Sequence, residues 1–593
     1  MKKNRLFSIV AIISVFCLCL PFSAGATGWQ DPTKPGWKEG EAKNGWIQSK
    51  LQHMTLEEKI GQLFIVHVYG KTPTDPNYEA TNLNGNRGGK NFKEVIEKYH
   101  VGGVIYFNWT DNVLTPLDAA QTNALSNGIQ KIAMDQRMPI PLFVSTDQEG
   151  GIVQRLVNPG TVFPGNMALG ATRSSQFAAN SAAILATELK GIGVNMNFAP
   201  VADVNVNPAN PVIGVRSFSE DPGLVSELTV AQVGAYQNKN LIATAKHFPG
   251  HGDTAVDSHY GLPIINHDLE TLHNVDLKPF KAAIDAGIDA IMTAHIVVPA
   301  LDPSGLPATL SKPILTDLLR GELGFKGLII TDSLGMSGAN VVPADRVAVE
   351  AFKAGADILL NPPNVEVAYN GMLAAAQSGE ISEKRIDESV YRILEYKFKR
   401  GLFDNPYTPE SAIANIGTAE HLAAADEIAN KSITLVKNEN NLLPFKNTDK
   451  IFITGPSTGK PNMLSGQLGN KGFNTSYYAT AASPTAAQIN SAVASAQQAD
   501  KIIVTTYNAN TNAAQQNLVK ALQGTGKPVI VAAIRNPYDL MSFPNVNAYL
   551  ATYGDRDVSV NALARVLAGE VNPSGKLPVT IPEVAKFGDG LSY

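Results

Sequence analysis

The 593-residue chain has almost no cysteine: Cys17 and Cys19 are its only two, and both lie near the start. A disulfide framework is thereby excluded for the rest of the chain, as is a thiolate nucleophile. Positive charge is not in excess. The 48 basic and 53 acidic residues give a formal charge of −5, which argues against nucleic acid as a partner, since phosphate binding wants a clustered basic surface. Runs of one charge and low-complexity tracts are missing too, and 44% hydrophobic side chains are far too many for a disordered protein. One long apolar run exists, Leu6 to Leu20. Its 15 residues fall short of the ~20 that span a bilayer, so no transmembrane segment is expected in the mature chain.

What is present begins with that run. Lys2, Lys3 and Arg5 precede it and Ala24-Gly25-Ala26 follows it, the pattern of an export signal over residues 1–26 cleaved after Ala26. Cleavage leaves 567 residues without cysteine and takes the net charge to −8, in a chain secreted or held at the cell wall. A lipid-anchored cysteine is the rival reading. It wants a small residue before the cysteine, and Phe16 and Leu18 stand there.

From about 47 to 400 one pattern repeats: a short β-branched apolar run, a polar or Gly-rich loop, then an alanine-rich amphipathic stretch. Eight runs are legible at 63–68, 103–107, 142–146, 194–198, 242–245, 290–293, 327–331 and 356–360. Helical signals such as 181–190, 277–286 and 344–354 separate them. Alternation of this kind predicts an α/β fold with a parallel sheet, and eight units fit a (β/α)8 TIM-like barrel over 27–402; a doubly wound sheet is the alternative. Asp147, Asp203, Lys246, His247, His295 and Asp332 all fall just past run ends, which in a barrel open on one face. The Pro-bearing stretch 403–421 reads as a linker. Four further runs, at 450–454, 501–505, 528–532 and 546–550, and a helix over 558–567 predict a smaller α/β sandwich over 422–593.

The chemistry concentrates in Lys246-His247-Phe248-Pro249-Gly250-His251-Gly252-Asp253-Thr254, continuing to Asp257-Ser258-His259. His and Asp are metal ligands, but a lysine beside His247 would repel a cation, and no helical H-E-x-x-H spacing supports a metal. A proton-transfer site fits better. Two apart in an extended loop, Asp257 and His259 project to the same side, and a carboxylate beside an imidazole fixes its tautomer and favours its protonated form. Such a pair gives a proton to a leaving oxygen and later takes one from water. Asp332, in Ile329-Ile330-Thr331-Asp332-Ser333-Leu334-Gly335-Met336, follows the seventh run; an aspartate there can attack an anomeric carbon or merely cap a helix. Asp147-Gln148-Glu149-Gly150-Gly151 with Arg155, and Arg216 in Gly214-Val215-Arg216-Ser217, offer the carboxylate and guanidinium groups that grip vicinal hydroxyls.

Together these motifs resemble glycoside hydrolase family 3, in its β-N-acetylglucosaminidase branch. The match covers the barrel from about 47 to 400, and Ser432-Ile433-Thr434-Leu435-Val436-Lys437-Asn438 with the terminal Gly590-Leu591-Ser592-Tyr593 resembles the family's second domain. The resemblance implies a nucleophile at Asp332, a general acid/base at His259 and its partner at Asp257. It implies substrate contacts at Asp147, Arg155, Arg216, Lys246 and His247. The expected activity is retaining, exo-acting hydrolysis of terminal β-linked GlcNAc from peptidoglycan fragments or chitin oligosaccharides, with no metal or organic cofactor. The alternatives are a phosphorylase releasing a sugar 1-phosphate and a wall-binding protein with a silent barrel. Two features are set aside: Gly455-Pro456-Ser457-Thr458-Gly459-Lys460 is one residue short of a phosphate loop and has Pro461 where Ser or Thr should bind magnesium, and of the four tryptophans (Trp29, Trp37, Trp46, Trp109) three lie near the mature N-terminus and are expected to cover the barrel rather than carry sugar.

Overall fold

The eight apolar runs form eight parallel strands: β1 Phe64–Val66, β2 Gly103–Ile105, β3 Phe143–Thr146, β4 Met196–Asn197, β5 Ile242–Phe248, β6 Ala290–Thr293, β7 Leu328–Ile330 and β8 Leu359–Leu360. Pairing follows chain order from β1 to β7, with β8 on the far side of β1. An isolated bridge between Ile330 and Ile358, with Thr331 N donating to Ile358 O at 3.0 Å, joins β7 to β8 and closes the barrel. The chain is seen here as a computed structural model that describes residues 39–593; the expected export signal, Cys17, Cys19, Trp29 and Trp37 lie outside the described residues. Strands buried on both faces read as unbroken apolar runs, which is why composition alone located them.

One boundary differs. The fifth run, expected to end at Ala245, continues as β5 to Phe248. Lys246 and His247 therefore stand on the strand itself, not on the Gly/Pro loop. Ala202 N donates to Lys246 O at 2.7 Å and Val201 bridges to Lys246, so pairing with the neighbouring segment holds these polar residues extended.

The surrounding helices begin where cap chemistry allows. Asp118, Ser174, Asp221 and Ser382 each accept the backbone N–H three residues on, satisfying a donor that the first turn leaves orphaned. Helix Glu383–Lys399 buries Ile386, Val390, Ile393, Leu394 and Lys397. The Lys397 ammonium donates to Gln62 Oε1 at 2.8 Å and Gly102 O at 2.9 Å, at the amino-terminal end of the barrel. Ion pairs of Asp357 with Arg320 and Arg392, and of Asp289 with Lys399 and Arg400, hold the same end. The opposite rim is left for chemistry.

The second sheet contains β9 Thr434–Asn438, β10 Lys450–Pro456, β11 Asn474–Thr480, β12 Lys501–Thr506, β13 Val529–Ala533 and β14 Ala548–Ala551, ordered β11-β10-β12-β13-β14-β9. Only β9 runs antiparallel to its neighbour. Alternate residues fill two cores: Phe452, Ile502, Val504, Val529 and Val531 face one way, Ile451, Ile453, Ile503 and Ile530 the other, as the two-residue strand period requires. The first of these cores also takes in Met167, Ala168, Ala171 and Val215 of the barrel region, and residues 47–593 group as one compact unit, divided from the preceding residues within helix Glu39–His53. The stretch 403–421 is fastened rather than slack: Thr408 exchanges hydrogen bonds with the Asn127 amide, and His421 Nδ1 lies 2.9 Å from Glu188 Oε1. Among the described residues, no helix is long and apolar enough to cross a membrane.

Candidate active site

At the carboxyl-terminal rim of the barrel lies a cavity of about 300 Å³. The loop after β3 delivers Asp147, Glu149 and Arg155 to it, and the turn Gly214–Arg216 delivers Arg216. Lys246 and His247 come from β5, His259 from the loop beyond it, and Asp332 from the end of β7. Seven of the eight candidate residues thus line one cavity. The eighth, Asp257, stands behind His259: its Oδ1 lies 2.7 Å from His259 Nδ1 and also accepts His259 N at 2.9 Å. That loop is docked on the segment following Asp332, through Ser337 N to His259 O at 3.4 Å and Gly338 N to Ser258 O at 3.1 Å.

The floor of the cavity is an ionic network with Glu149 at its hub. Glu149 is 2% exposed. It accepts Arg216 Nε at 2.9 Å and Nη2 at 2.7 Å, a two-pronged grip, and Lys246 Nζ at 2.7 Å. Lys246 also donates to Asp147 Oδ1 at 2.8 Å, while Arg155 Nη2 lies 3.5 Å from Asp147 Oδ2. Burial opposes ionisation of Glu149, yet the Arg216 and Lys246 cations outweigh it and hold the carboxyl far below its ordinary value. Burial likewise works against the Lys246 ammonium and is overcome by Asp147 and Glu149. Arg155 Nε is buried without a hydrogen-bond partner.

His247 has a fixed orientation. Its Nδ1 lies 2.7 Å from Asp203 Oδ2, and Asp203 Oδ1 accepts the backbone N–H groups of His247 and His251. Burial raises the Asp203 carboxyl, but His247 and the other donors outweigh that and keep it below its ordinary value. With the carboxylate ionised, His247 Nδ1–H donates to Asp203, and Nε2 lies 3.4 Å from Arg216 Nη2. His251, from the same motif, does not reach the cavity. It is buried between Thr254 and Ser258, and desolvation lowers its pKa to about 4.

Asp332 Oδ1 accepts Ser333 N at 2.7 Å. Burial pushes its carboxyl up, but His247, His295, the Ser333 N–H and Lys246 together bring it below the ordinary carboxylate value, so it is ionised at neutral pH. His295, noted in the sequence only as a strand-end polar residue, fixes the backbone here. Its Nε2 donates to Ser333 O at 2.9 Å while Nδ1 faces the Thr309 hydroxyl at 2.8 Å; burial lowers its pKa.

Glu149 was legible in its motif but not singled out, although a second carboxylate two residues after Asp147 on an extended segment is the signal that would have found it. Trp109 also lines the cavity, 56% exposed and stacked on Phe107 with ring centroids 4.0 Å apart. The Arg155 guanidinium lies 5.0 Å from the Trp109 ring. Among the described residues, no three His, Cys, Asp or Glu side chains are grouped to hold a metal ion.

Two family models match this chain: the glycosyl hydrolase family 3 N terminal domain over residues 55–396 and the family 3 C-terminal domain over 433–590. The chain belongs to glycosyl hydrolase family 3. A relative named beta-hexosaminidase A, from Pseudoalteromonas piscicida, is 36% identical over 554 residues, covering 82% of this chain and 90% of its own length. A beta-N-acetylglucosaminidase/beta-glucosidase of Cellulomonas fimi is 29% identical, covering 90% of this chain and 95% of its own. The solved structure of a family 3 beta-N-acetylglucosaminidase from Paenibacillus sp. str. FPU-7 superposes with a TM-score of 0.80 at 35% identity, covering 89% of this chain and 99% of that one. As a family 3 glycoside hydrolase, the protein must present a nucleophile or base and a proton donor to one glycosidic bond.

Proposed function

We propose that this glycoside hydrolase is an exported, retaining exo-β-N-acetylglucosaminidase that removes terminal β-linked GlcNAc from peptidoglycan fragments or chitin oligosaccharides. The observation that supports it most directly is that His259, paired with Asp257, and the ionised Asp332 line the same small cavity. The names of a relative and of a solved structure support GlcNAc as the sugar. A cavity of about 300 Å³ sits at the small end of ligand pockets and suits one terminal ring.

In the first step Asp332 attacks the anomeric carbon, forming a carbon–oxygen ester bond as the bond to the leaving oxygen breaks. The Nε2 proton of the His259 imidazolium passes to that oxygen, while the Nδ1 proton stays on the ring and is donated to Asp257. In the second step neutral His259 takes a proton from water, the water oxygen bonds to the anomeric carbon, and the Asp332 carboxylate leaves. Asp147, Arg155 and Lys246 hold the sugar hydroxyls, and Arg216 and His247 complete the wall of the subsite.

The test is turnover of p-nitrophenyl GlcNAc against p-nitrophenyl glucoside, with the first-formed anomer read by NMR in buffers with and without phosphate. Preference for the GlcNAc substrate and β-anomeric free sugar support the proposal. An α-anomer refutes retention, a sugar 1-phosphate indicates a phosphorylase, and absence of turnover with retained wall binding indicates a silent barrel.

A further inference from the structure

No residue of the second domain is among those lining the cavity, yet two of them hold up the loops that do. The loop after β3 reverses at Gly150 and Gly151, both with positive φ (87° and 65°), so that Asp147 and Glu149 lie on one limb and Arg155 on the other. Glu149 N donates to Val153 O at 2.9 Å, and Gly150 bridges to Val153. The carbonyls at the tip of this reversal, Gly151 O and Ile152 O, face the second domain. They accept Arg556 Nε at 2.7 Å and Arg556 Nη2 at 3.1 Å. Arg556 lies between β14 and helix Asp557–Leu567. Two successive carbonyls received by one rigid guanidinium fork fix the tip in position and direction, which a single donor on a flexible stem does not.

The other loop is held in the same way. Asn536, which follows β13, accepts Val215 N on Oδ1 at 3.1 Å. Val215 is itself part of the second domain's core and immediately precedes Arg216. Contact is close enough that a Cβ on Gly214 (φ 46°) would lie 2.5 Å from Asn536 Oδ1. Glu149 and Arg216, the two members of the forked ion pair at the cavity floor, therefore belong to two separate barrel loops, each set against the carboxyl-end loops of β13 and β14.

We propose that the second domain acts on catalysis as a buttress, with Arg556 the principal positioning residue and Asn536 its counterpart, together setting the register of Glu149 against Arg216 and of Asp147 and Arg155 against the sugar. This inference rests on the reading of the cavity as a sugar site. Displacement of binding groups by about 1 Å costs up to roughly 100-fold in rate, so Arg556→Ala should lower kcat/KM for p-nitrophenyl GlcNAc by about 10- to 100-fold, mainly through KM, and Arg556→Lys should restore part of it.

The control is Arg173→Ala, which removes another guanidinium-to-carbonyl contact between the regions (Nη2 to Leu577 O, 2.6 Å) without touching either loop; its kcat/KM should stay within twofold of wild type. Hydrogen exchange over residues 149–156 should accelerate in Arg556→Ala and not in Arg173→Ala. The proposal is overturned if Arg556→Ala keeps wild-type kcat/KM, if both variants lose activity equally, or if exchange in 149–156 is unchanged. Should the wild-type chain fail to turn over the GlcNAc substrate, the sugar reading falls on its own and the exchange measurement still decides the buttress.

Discussion

Glu149→Gln is the perturbation that separates the ionic floor from ordinary packing. The substitution is isosteric, so no cavity opens and the 2% exposure of the site is preserved. What changes is charge: Arg216 and Lys246, with side chains 10% and 3% exposed, lose the carboxylate that both share. Removing one partner of a buried ion pair costs about 3–5 kcal/mol because an uncompensated charge remains. With an unfolding entropy of roughly 2.1 cal/mol/K per residue over about 550 residues unfolding together, that loss lowers Tm by about 3–4 °C. The pH dependence carries the sharper test. Glu149 is held below its ordinary value near 4.5 in the folded state, so its contribution is fully present above that value and is lost as the pH falls from there towards the folded value. Glutamine does not titrate. Melting of both proteins from pH 7 to pH 3 should therefore show a gap that is constant above pH ~5 and narrows below ~4.5. A gap that keeps its full size at pH 3, or no gap at pH 7, would refute the reasoning that charge at Glu149 organises the floor.

Other substitutions report on the proposed roles. Asp332→Ala should lower kcat by about 10³-fold or more, and azide should restore turnover with a glycosyl azide as product; near-normal rates would remove the nucleophile assignment. His259→Ala should slow disaccharides with poor leaving groups by about 10²–10⁴-fold and activated aryl glycosides far less, so equal losses on both would contradict an acid role. Asp257→Ala removes the carboxylate 2.7 Å from His259 Nδ1 and should slow poor-leaving-group disaccharides more than activated aryl glycosides; equal losses on both would uncouple the pair. Asp203→Asn presents an amide to His247 Nδ1 and should weaken inhibition by free GlcNAc about tenfold, the equivalent of roughly 1.5 kcal/mol for a charge-assisted hydrogen bond, as measured by its inhibition constant.

What could be read beforehand follows from how each feature is encoded. The barrel strands were legible because they are buried on both faces and so leave continuous apolar runs. β11 was not: it is the edge strand of the second sheet, and Asn474, Thr475, Ser476 and Tyr477 alternate no hydrophobic face, being mostly exposed. The end of β5 was hidden for the opposite reason, since Lys246 and His247 are polar residues kept in a strand by cross-strand bonds and by carboxylates (Asp147, Glu149, Asp203) that lie 44 to 99 positions earlier in the chain. Local pattern cannot encode partners that distant. The same limit explains Glu149, whose role depends on Arg216 approaching across 67 residues, and Trp109, whose value lies in standing at the cavity rim rather than in its neighbours along the chain.

The two proposed reacting groups sit in environments suited to opposite demands. A nucleophile must stay ionised throughout, and Asp332 lies where His247, His295, Lys246 and a backbone N–H outweigh the burial that would neutralise it. An acid/base must change charge twice in each cycle, and His259 is on a loop with a side chain 52% exposed, held by Asp257 and in contact with water. Exchanging those settings would defeat both: a histidine surrounded by Lys246, Arg216 and His247 would resist protonation, as buried His251 and His295 do, and an exposed aspartate would lack the fixed cations that favour its charge. The pairing of a half-buried, cation-lined carboxylate with an exposed, carboxylate-held imidazole is thus a way to set two protonation states apart within one small cavity. It also explains why the histidine must come from a docked loop and the aspartate from the end of a barrel strand.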